Sequence, residues 1–167
     1  MGVLIDSDDF LTGRLLIAQG TEEETTLTAF IDMYEEPFLY EMLGVTMYEA
    51  FKADLVDQVP TDADYLIIYN IFNKMISDTI VTSKGMKEML KSYIYSLYIS
   101  KQSVVNTTVG NVINENEVSV MNNNTFDVAV YYNEAVMTFT AIQVYIENNE
   151  TIFTDYKGTA KSFTSPL

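Results

Sequence analysis

Carboxylates are the first candidates for chemistry in this chain, because histidine and cysteine are both absent. The densest acidic segment, residues 6–9 (DSDD), has the acid content of a divalent-ion site but lacks the glycine and distal glutamate of a calcium loop. Glu35 and Glu36 are adjacent and could in principle act as acid and base, yet nothing distinguishes them from the general acidity. The sequence therefore predicts no metal site, no cofactor and no catalytic residue.

Missing residue types and motifs exclude further function classes. Without cysteine there is no disulfide and no cysteine-containing zinc site, and without histidine there is no histidine base. The phosphate-binding, dinucleotide-binding, nucleophile-elbow, zinc-protease and EF-hand patterns are all absent from the sequence. We therefore expect a protein that is not an enzyme.

Length and charge limit the remaining choices. The 167 residues suit a single domain over 1–167, and a hydrophobic fraction of 48% is enough for a core. The net charge of −15 is uneven, because residues 1–57 carry 13 acids and 2 bases. Such a surface repels nucleic-acid phosphate. The acidic charge has three possible roles: it keeps the protein soluble, it lets DNA move past without binding, or it contacts a basic partner.

No membrane segment is expected. The apolar runs of the chain all fall short of the roughly 20 residues that a bilayer span needs. The N-terminal segment MGVLIDSDDF is acidic where a signal peptide would be basic.

Apolar spacing predicts a mainly α fold, a compact helical bundle of about four to six helices. The most informative stretch, residues 34–51, reads as two short amphipathic helices that meet at Gly44, which suits a left-handed C-cap. A capping box of Thr46 and Glu49 would begin the second of these, over 46–56. The first would run from Thr21 to Leu43, with a kink or break at 33–36 because Pro37 lies inside it.

Four further helices complete the predicted bundle. A short helix within 5–20 would begin at Asp6 or Ser7, and another would be capped by Thr61 or Asp62 and continue through Phe72 to Ile76. Two long helices would span Met86 to about Val104 and Thr125 to about Asn148.

Two segments fall outside the helical pattern. Residues 106–124 contain β-branched residues around Gly110 and polar residues at 114–116, which predicts an extended arm or a β-hairpin with strands near 107–113 and 117–121. A long non-helical stretch in a helical domain is often functional. The C-terminal tail, 150–167, has aromatic residues without periodicity and can order only against another surface.

Several features suggest contact surfaces. Adjacent aromatic residues such as Tyr131 and Tyr132 point to different faces of one helix, which suggests helices that bury two faces, one inside the domain and one against a neighbour. Lys84, Lys87 and Lys91 form a basic stripe at the start of the helix around Gly85. This stripe is either a solvated face or a contact for an acidic surface of a neighbouring subunit. The candidate interface residues lie in the arm, the stripe and the tail: Thr107, Val109, Gly110, Val112, Asn114, Val118, Val120, Lys84, Lys87, Lys91, Phe153 and Tyr156.

The order of these features resembles the small head–tail connector (adaptor or ring) proteins of tailed bacteriophages, especially those of gut Bacteroides and crAss-like phages. The resemblance covers roughly 22–158 and is a pattern of helix faces and turns. It consists of an acidic helix leading into YEEPFLYEMLG and TMYEAF, then SKGMK with the aromatic helix MLKSYIYSLYISKQ, the polar NTTVGNV, and YYNEA in the last helix. Pro37 and the C-terminal tail depart from the pattern.

That resemblance implies a structural virion protein. Copies would assemble head-to-tail into a ring, dodecameric in this expectation, below the portal protein in the head–tail neck. The ring would extend the channel through which DNA passes without specific binding, and would dock the tail and other neck proteins. Assembly would take place in the host cytoplasm, and the arm and tail would order only in the assembly.

Two alternatives remain from the sequence. The acidity suggests an inhibitor that mimics DNA and binds a host DNA-binding protein, although the acids cluster in 1–57 while the rest is apolar and rich in tyrosine. The other alternative is a small tail-completion protein or helical interaction module.

Overall fold

The computed structural model describes residues 2–17, 20–102, 105–107, 110–112 and 118–161. Five α-helices and three two-stranded antiparallel hairpins lie within these ranges, so the predicted mainly α fold of four to six helices is confirmed. In chain order the elements are α1 (Thr21–Leu43), α2 (Val45–Ala53), β1 (Leu55–Val56), β2 (Val59–Pro60), α3 (Ala63–Tyr69), β3 (Phe72–Ile76), β4 (Thr79–Ser83), α4 (Met86–Gln102), β5 (Val105–Thr107), β6 (Gly110–Val112) and α5 (Val118–Glu147).

The core lies where α1, α4 and α5 meet. Phe38 of α1 stacks on Tyr93 of α4 with ring centroids 4.0 Å apart, and it meets Phe139 of α5 edge-on at 5.1 Å. Phe38 and Phe139 are fully buried. Aromatic pairs of this kind add about 0.5–1.5 kcal/mol each beyond the area that they bury. This aromatic cluster (Phe38, Tyr93 and Phe139) therefore fixes the mutual position of the three longest helices.

Helix α1 has the predicted bounds. Of the kink or break predicted at 33–36, the break is wrong. The helix is continuous from Thr21 to Leu43, and Gly20 is its N-cap. A proline inside a helix removes one backbone donor. Phe38 and Leu39, directly after the proline, are both buried, so packing holds the helix together across the missing hydrogen bond.

The corner at Gly44 is present with different capping from that predicted. Gly44 has φ +77° and ψ 156°, a region open almost only to glycine, and it is both the C-cap of α1 and the N-cap of α2. Helix α2 thus begins before Thr46, and the predicted capping box is absent. Glu49 instead accepts a hydrogen bond from the Tyr40 hydroxyl at 2.6 Å. The helix ends at Ala53, because Leu55 and Val56 form a hairpin with β2.

The helix predicted to continue to Ile76 is wrong beyond Tyr69. Asp62 caps α3 as predicted and accepts from the backbone N–H of Asp64 at 2.8 Å. After Asn70 the chain forms the β3–β4 hairpin, whose turn at Ser77 and Asp78 has positive φ at both residues. This backbone twist is the one that two-residue hairpin turns favour.

The arm is shorter than predicted and the last helix is longer. Strands β5 and β6 pair with Val105 opposite Val112, so a hairpin is present near the predicted first strand. The predicted second strand at 117–121 is wrong, because α5 begins at Val118 rather than Thr125.

The N-terminal segment is held by one buried carboxylate. The predicted helix in 5–20 is only a four-residue 3₁₀ turn, Ser7–Phe10, capped by Asp6. Before it, the backbone N–H groups of Val3, Leu4 and Ile5 donate to the Glu35 carboxylate at 2.7, 2.7 and 3.2 Å. Burial raises the pKa of Glu35, and the three backbone donors oppose that change. Glu35 thus ties the first residues of the chain to α1.

The raised pKa of Glu35 sets the sign of a pH effect. Its contribution to stability is fully present below the unfolded-state pKa and is lost as the pH rises through the folded-state pKa. Relative to Glu35→Gln, the free energy of unfolding of the native chain should therefore fall as the pH rises above about 4.3.

Urea unfolding of both chains across this pH range checks the prediction. The other carboxylates are common to the two chains, so their effects cancel in the difference. If the free energy of unfolding of the native chain rose with pH relative to that of Glu35→Gln, the raised pKa of Glu35 would be contradicted.

Candidate functional site

The basic stripe pairs with acids of its own chain. Lys84 lies 3.5 Å from Glu134 of α5, and Lys87 lies 3.2 Å from Asp9. Lys91 lies 3.3 Å from Glu88, one turn away on α4. In the single chain the stripe therefore connects α4 with α5 and with the N-terminal 3₁₀ turn.

Glu134 also forms a bidentate ion pair with Arg14 of the N-terminal segment. Arg14 donates to the two carboxylate oxygens of Glu134 at 3.2 and 2.5 Å. Its guanidinium lies 5.1 Å from the ring centroid of Tyr131. The hydrogen bond to Glu134 is the main cause of the raised pKa of Arg14. Arg14 thereby fixes the N-terminal segment against α5.

The C-terminal tail docks on its own chain as far as Lys161, which differs from the expectation that it orders only in an assembly. Phe153 is 5% exposed and packs its ring between Tyr65 and Tyr145, at 6.5 and 6.3 Å. Tyr156 is half-buried, and burial raises its pKa to about 12. These two candidate interface residues are part of the fold. Residues 162–167 lie outside the described part of the chain.

The tail docks because α1 ends with carbonyl groups that lack partners within the helix. The Lys157 and Thr159 N–H groups donate to the carbonyls of Leu43 and Glu41, at 3.2 and 2.6 Å. Gln143 of α5 donates to the Met42 carbonyl at 3.1 Å. At Gly158 an added Cβ would lie 2.1 Å from the Met42 carbonyl, so only glycine fits there.

Lys161 completes this docking by covering the aromatic cluster. Its ammonium lies 5.0 Å from the ring centroid of Phe38, 5.8 Å from that of Tyr93 and 5.9 Å from that of Phe139. The same ammonium forms an ion pair with Glu41. The tail thus contacts all three helices of the core.

The arm positions are described only in part. Thr107, Gly110 and Val112 lie in the β5–β6 hairpin, where Thr107 is opposite Gly110. Val118 and Val120 lie in the first turn of α5 instead of in a strand. Val109 and Asn114 lie outside the described residues.

A groove of about 550 Å³ lies between α1 and α4, near the end of α4 from which the arm leaves. Its most exposed apolar side chain is Met33, with 61% of its surface accessible. Lys101 lies 5.1 Å from the ring centroid of Phe30 on one wall. The other lining residues are Thr25, Thr26, Ala29, Tyr34, Leu97 and Ser100.

The β3–β4 hairpin presents an apolar face that the sequence prediction missed. Phe72 and Ser83 at its base are buried, while Ile71, Met75 and Ile80 are 72%, 74% and 69% exposed. Met75 and Ile80 are directly opposite each other. We call this surface the outer face; its residues are Ile71, Asn73, Met75, Ile80 and Thr82.

A signal for the outer face was present in the sequence. The β-branched run at 79–82 follows Ser77-Asp78, a polar pair of the kind found in tight hairpin turns. No comparable signal marked Glu35 as the anchor of the N-terminus, because its partners are backbone groups about 30 residues away.

The acidic segment at 6–9 caps a turn. Asp6 accepts from the Asp8 N–H at 3.0 Å, and Asp9 accepts from the Asp6 N–H at 3.1 Å. Within the described ranges no group of three or more acidic side chains is arranged to hold a metal ion. No helix in those ranges combines the length and the hydropathy required to cross a bilayer.

Comparison of the chain with protein-family models, with curated proteins and with solved structures found no match.

The burial of Phe153 gives a stability prediction. Phe153→Ala should lower the free energy of unfolding by about 3 kcal/mol, since it leaves a cavity between two aromatic rings. The matched control is the adjacent Ile152→Ala, at a position that is 47% exposed, for which we expect a loss below about 1 kcal/mol.

Chemical denaturation of the isolated chain measures both variants. Equal, small losses of unfolding free energy for the two variants would contradict the assignment of Phe153 to the core. Phe153 would then remain a candidate interface residue.

Proposed function

We propose that this protein is a structural, non-enzymatic component of the head–tail connector of a tailed bacteriophage, in which copies form a ring below the portal protein. The ring extends the DNA channel and docks the tail and other neck proteins. A dodecameric assembly, formed in the host cytoplasm and located in the neck of the virion, belongs to the same proposal.

The observation that carries the proposal is the placement of two uncharged surfaces on a strongly acidic body. The outer face has no charged side chain, and the segment 102–114, which contains the arm, has none either. They adjoin opposite ends of α4, since β4 ends shortly before Met86 and β5 begins shortly after Gln102. Two different contact surfaces on one subunit are what a head-to-tail ring requires.

The acidity suits a conduit for DNA. Copies that carry a net charge of −15 each repel the phosphate backbone rather than hold it. DNA then passes through the ring without stopping at a binding site, which is the behaviour that a channel needs.

The alternative of a DNA-mimicking inhibitor has weaker support. A mimic needs a row of free carboxylates spaced like phosphates. Here Glu35 is buried, and Glu36 and Glu41 pair with Lys52 and Lys161 of the same chain. These carboxylates of α1 stabilise the fold and do not form a free row.

The proposal predicts how self-association depends on salt. Like-charged copies repel one another, and raising the ionic strength from 0.01 to 0.1 M shortens the Debye length from about 30 to about 10 Å. Self-association should therefore strengthen with sodium chloride, whereas affinity for DNA would weaken with salt.

Light scattering after size-exclusion chromatography, at several salt concentrations, checks this prediction. Added duplex DNA should leave the measured mass unchanged at every salt concentration. A chain that stays monomeric throughout, or that binds DNA at low salt, would contradict the proposal.

A further inference from the structure

The outer face is a sheet surface without a cover. One side of the β3–β4 hairpin packs on α5, where Phe72 meets Tyr145 with ring centroids 5.2 Å apart. The other side is the outer face, where the Thr82 hydroxyl donates to the Asn73 amide oxygen at 2.7 Å and the apolar side chains stand free. Met75 and Ile80 are exposed directly opposite each other, and Ile71 is exposed beside the base of the hairpin. Exposed apolar side chains grouped in this way are typical of a contact surface.

Charge restricts what can cover the outer face. A second copy of the chain carries the same net charge of −15, so contact through an acid-rich surface would be repulsive. An uncharged partner segment avoids that repulsion. Residues 102–114 form such a segment, because none of them is Asp, Glu, Lys or Arg.

The arm within that segment also needs a surface to pack on. It is a hairpin of two three-residue strands, β5 and β6. A two-stranded hairpin alone is marginally stable in water and becomes stable when it packs on a further surface. Its valine and threonine residues are of the types that pack well on sheets.

The arm of the same chain is not that cover. The outer face is exposed with its own chain in place. Helix α4 lies between the two surfaces and spans about 25 Å at 1.5 Å per residue. A contact between the arm of one copy and the outer face of another therefore links copies head-to-tail, in the sense that closes a ring or extends a filament.

We propose that the outer face of the β3–β4 hairpin receives the β5–β6 arm of a second copy of this chain. The inference rests on the proposed function because it assumes that copies of the chain associate. It adds which two surfaces meet. In this contact β5 and β6 lie over Met75 and Ile80, and the residues of the outer face and of 102–114 carry no charge.

The absence of cysteine from the chain permits a direct test by disulfide trapping. One batch carries Met75→Cys, and a second, differently tagged batch carries Thr107→Cys or Asn111→Cys. The batches are mixed, allowed to associate and oxidised. A disulfide requires the two Cα atoms to come within about 7 Å.

The matched control replaces Met75→Cys by Met137→Cys, which is similarly exposed but lies on α5. We expect Met75→Cys to couple to at least one arm cysteine at least about tenfold more than the control does, because docking raises the effective concentration of the pair.

Other outcomes overturn the inference, and they separate it from the proposed function. Coupling of Met75→Cys mainly to itself would indicate a symmetric contact. Coupling to Met33→Cys would place the outer face in the groove between α1 and α4. Association without coupling to the arm would exclude this contact and leave the ring proposal standing. A chain that stays monomeric under all conditions overturns both.

Discussion

The stacking of Phe38 on Tyr93, with Phe139 against its edge, is the interaction on which the rest of the structure depends. It joins α1, α4 and α5 at one point, and Lys161 closes it from the tail side. With α4 held in this way, the β3–β4 hairpin lies at one end of the helix and the arm leaves from the other. The aromatic cluster thus holds α4 in place, and the length of α4 separates the two surfaces that we propose as contacts.

Charge decides how those surfaces can be used. Several acids serve the fold itself: Glu35 holds the N-terminal segment, and Glu134 holds Arg14 and Lys84. The acids that remain at the surface make copies of the chain repel one another. Association then depends on surfaces without carboxylates, and the outer face is such a surface. In the proposed role the same acidity also repels the phosphates of DNA, so one physical property serves both parts of that role.

Helices with a strong apolar period could be predicted from the sequence. The bounds of α1, most of α4 and the Asp62 cap of α3 followed from spacing and capping residues, because these signals are local. The β3–β4 hairpin was missed because Phe72 and Ile76 are four residues apart. That spacing places two side chains on one face of a helix, and equally on one face of a strand. Only the pairing with 79–83 decides between them.

Contacts between distant parts of the chain could not be predicted. The docking of the tail depends on the Leu43 and Glu41 carbonyls, which lie more than a hundred residues before the N–H groups that reach them. The candidate site was predictable to a similar degree. The lysine stripe and the arm were identified from residue types, whereas the ion pairs of the stripe and the outer face required the fold.

Electron microscopy of the associated protein in negative stain tests the central claim most directly. The account predicts closed rings of uniform size with an open centre wide enough for duplex DNA, formed once salt screens the repulsion between copies. Monomers at every protein and salt concentration, or compact particles without an opening, would contradict it.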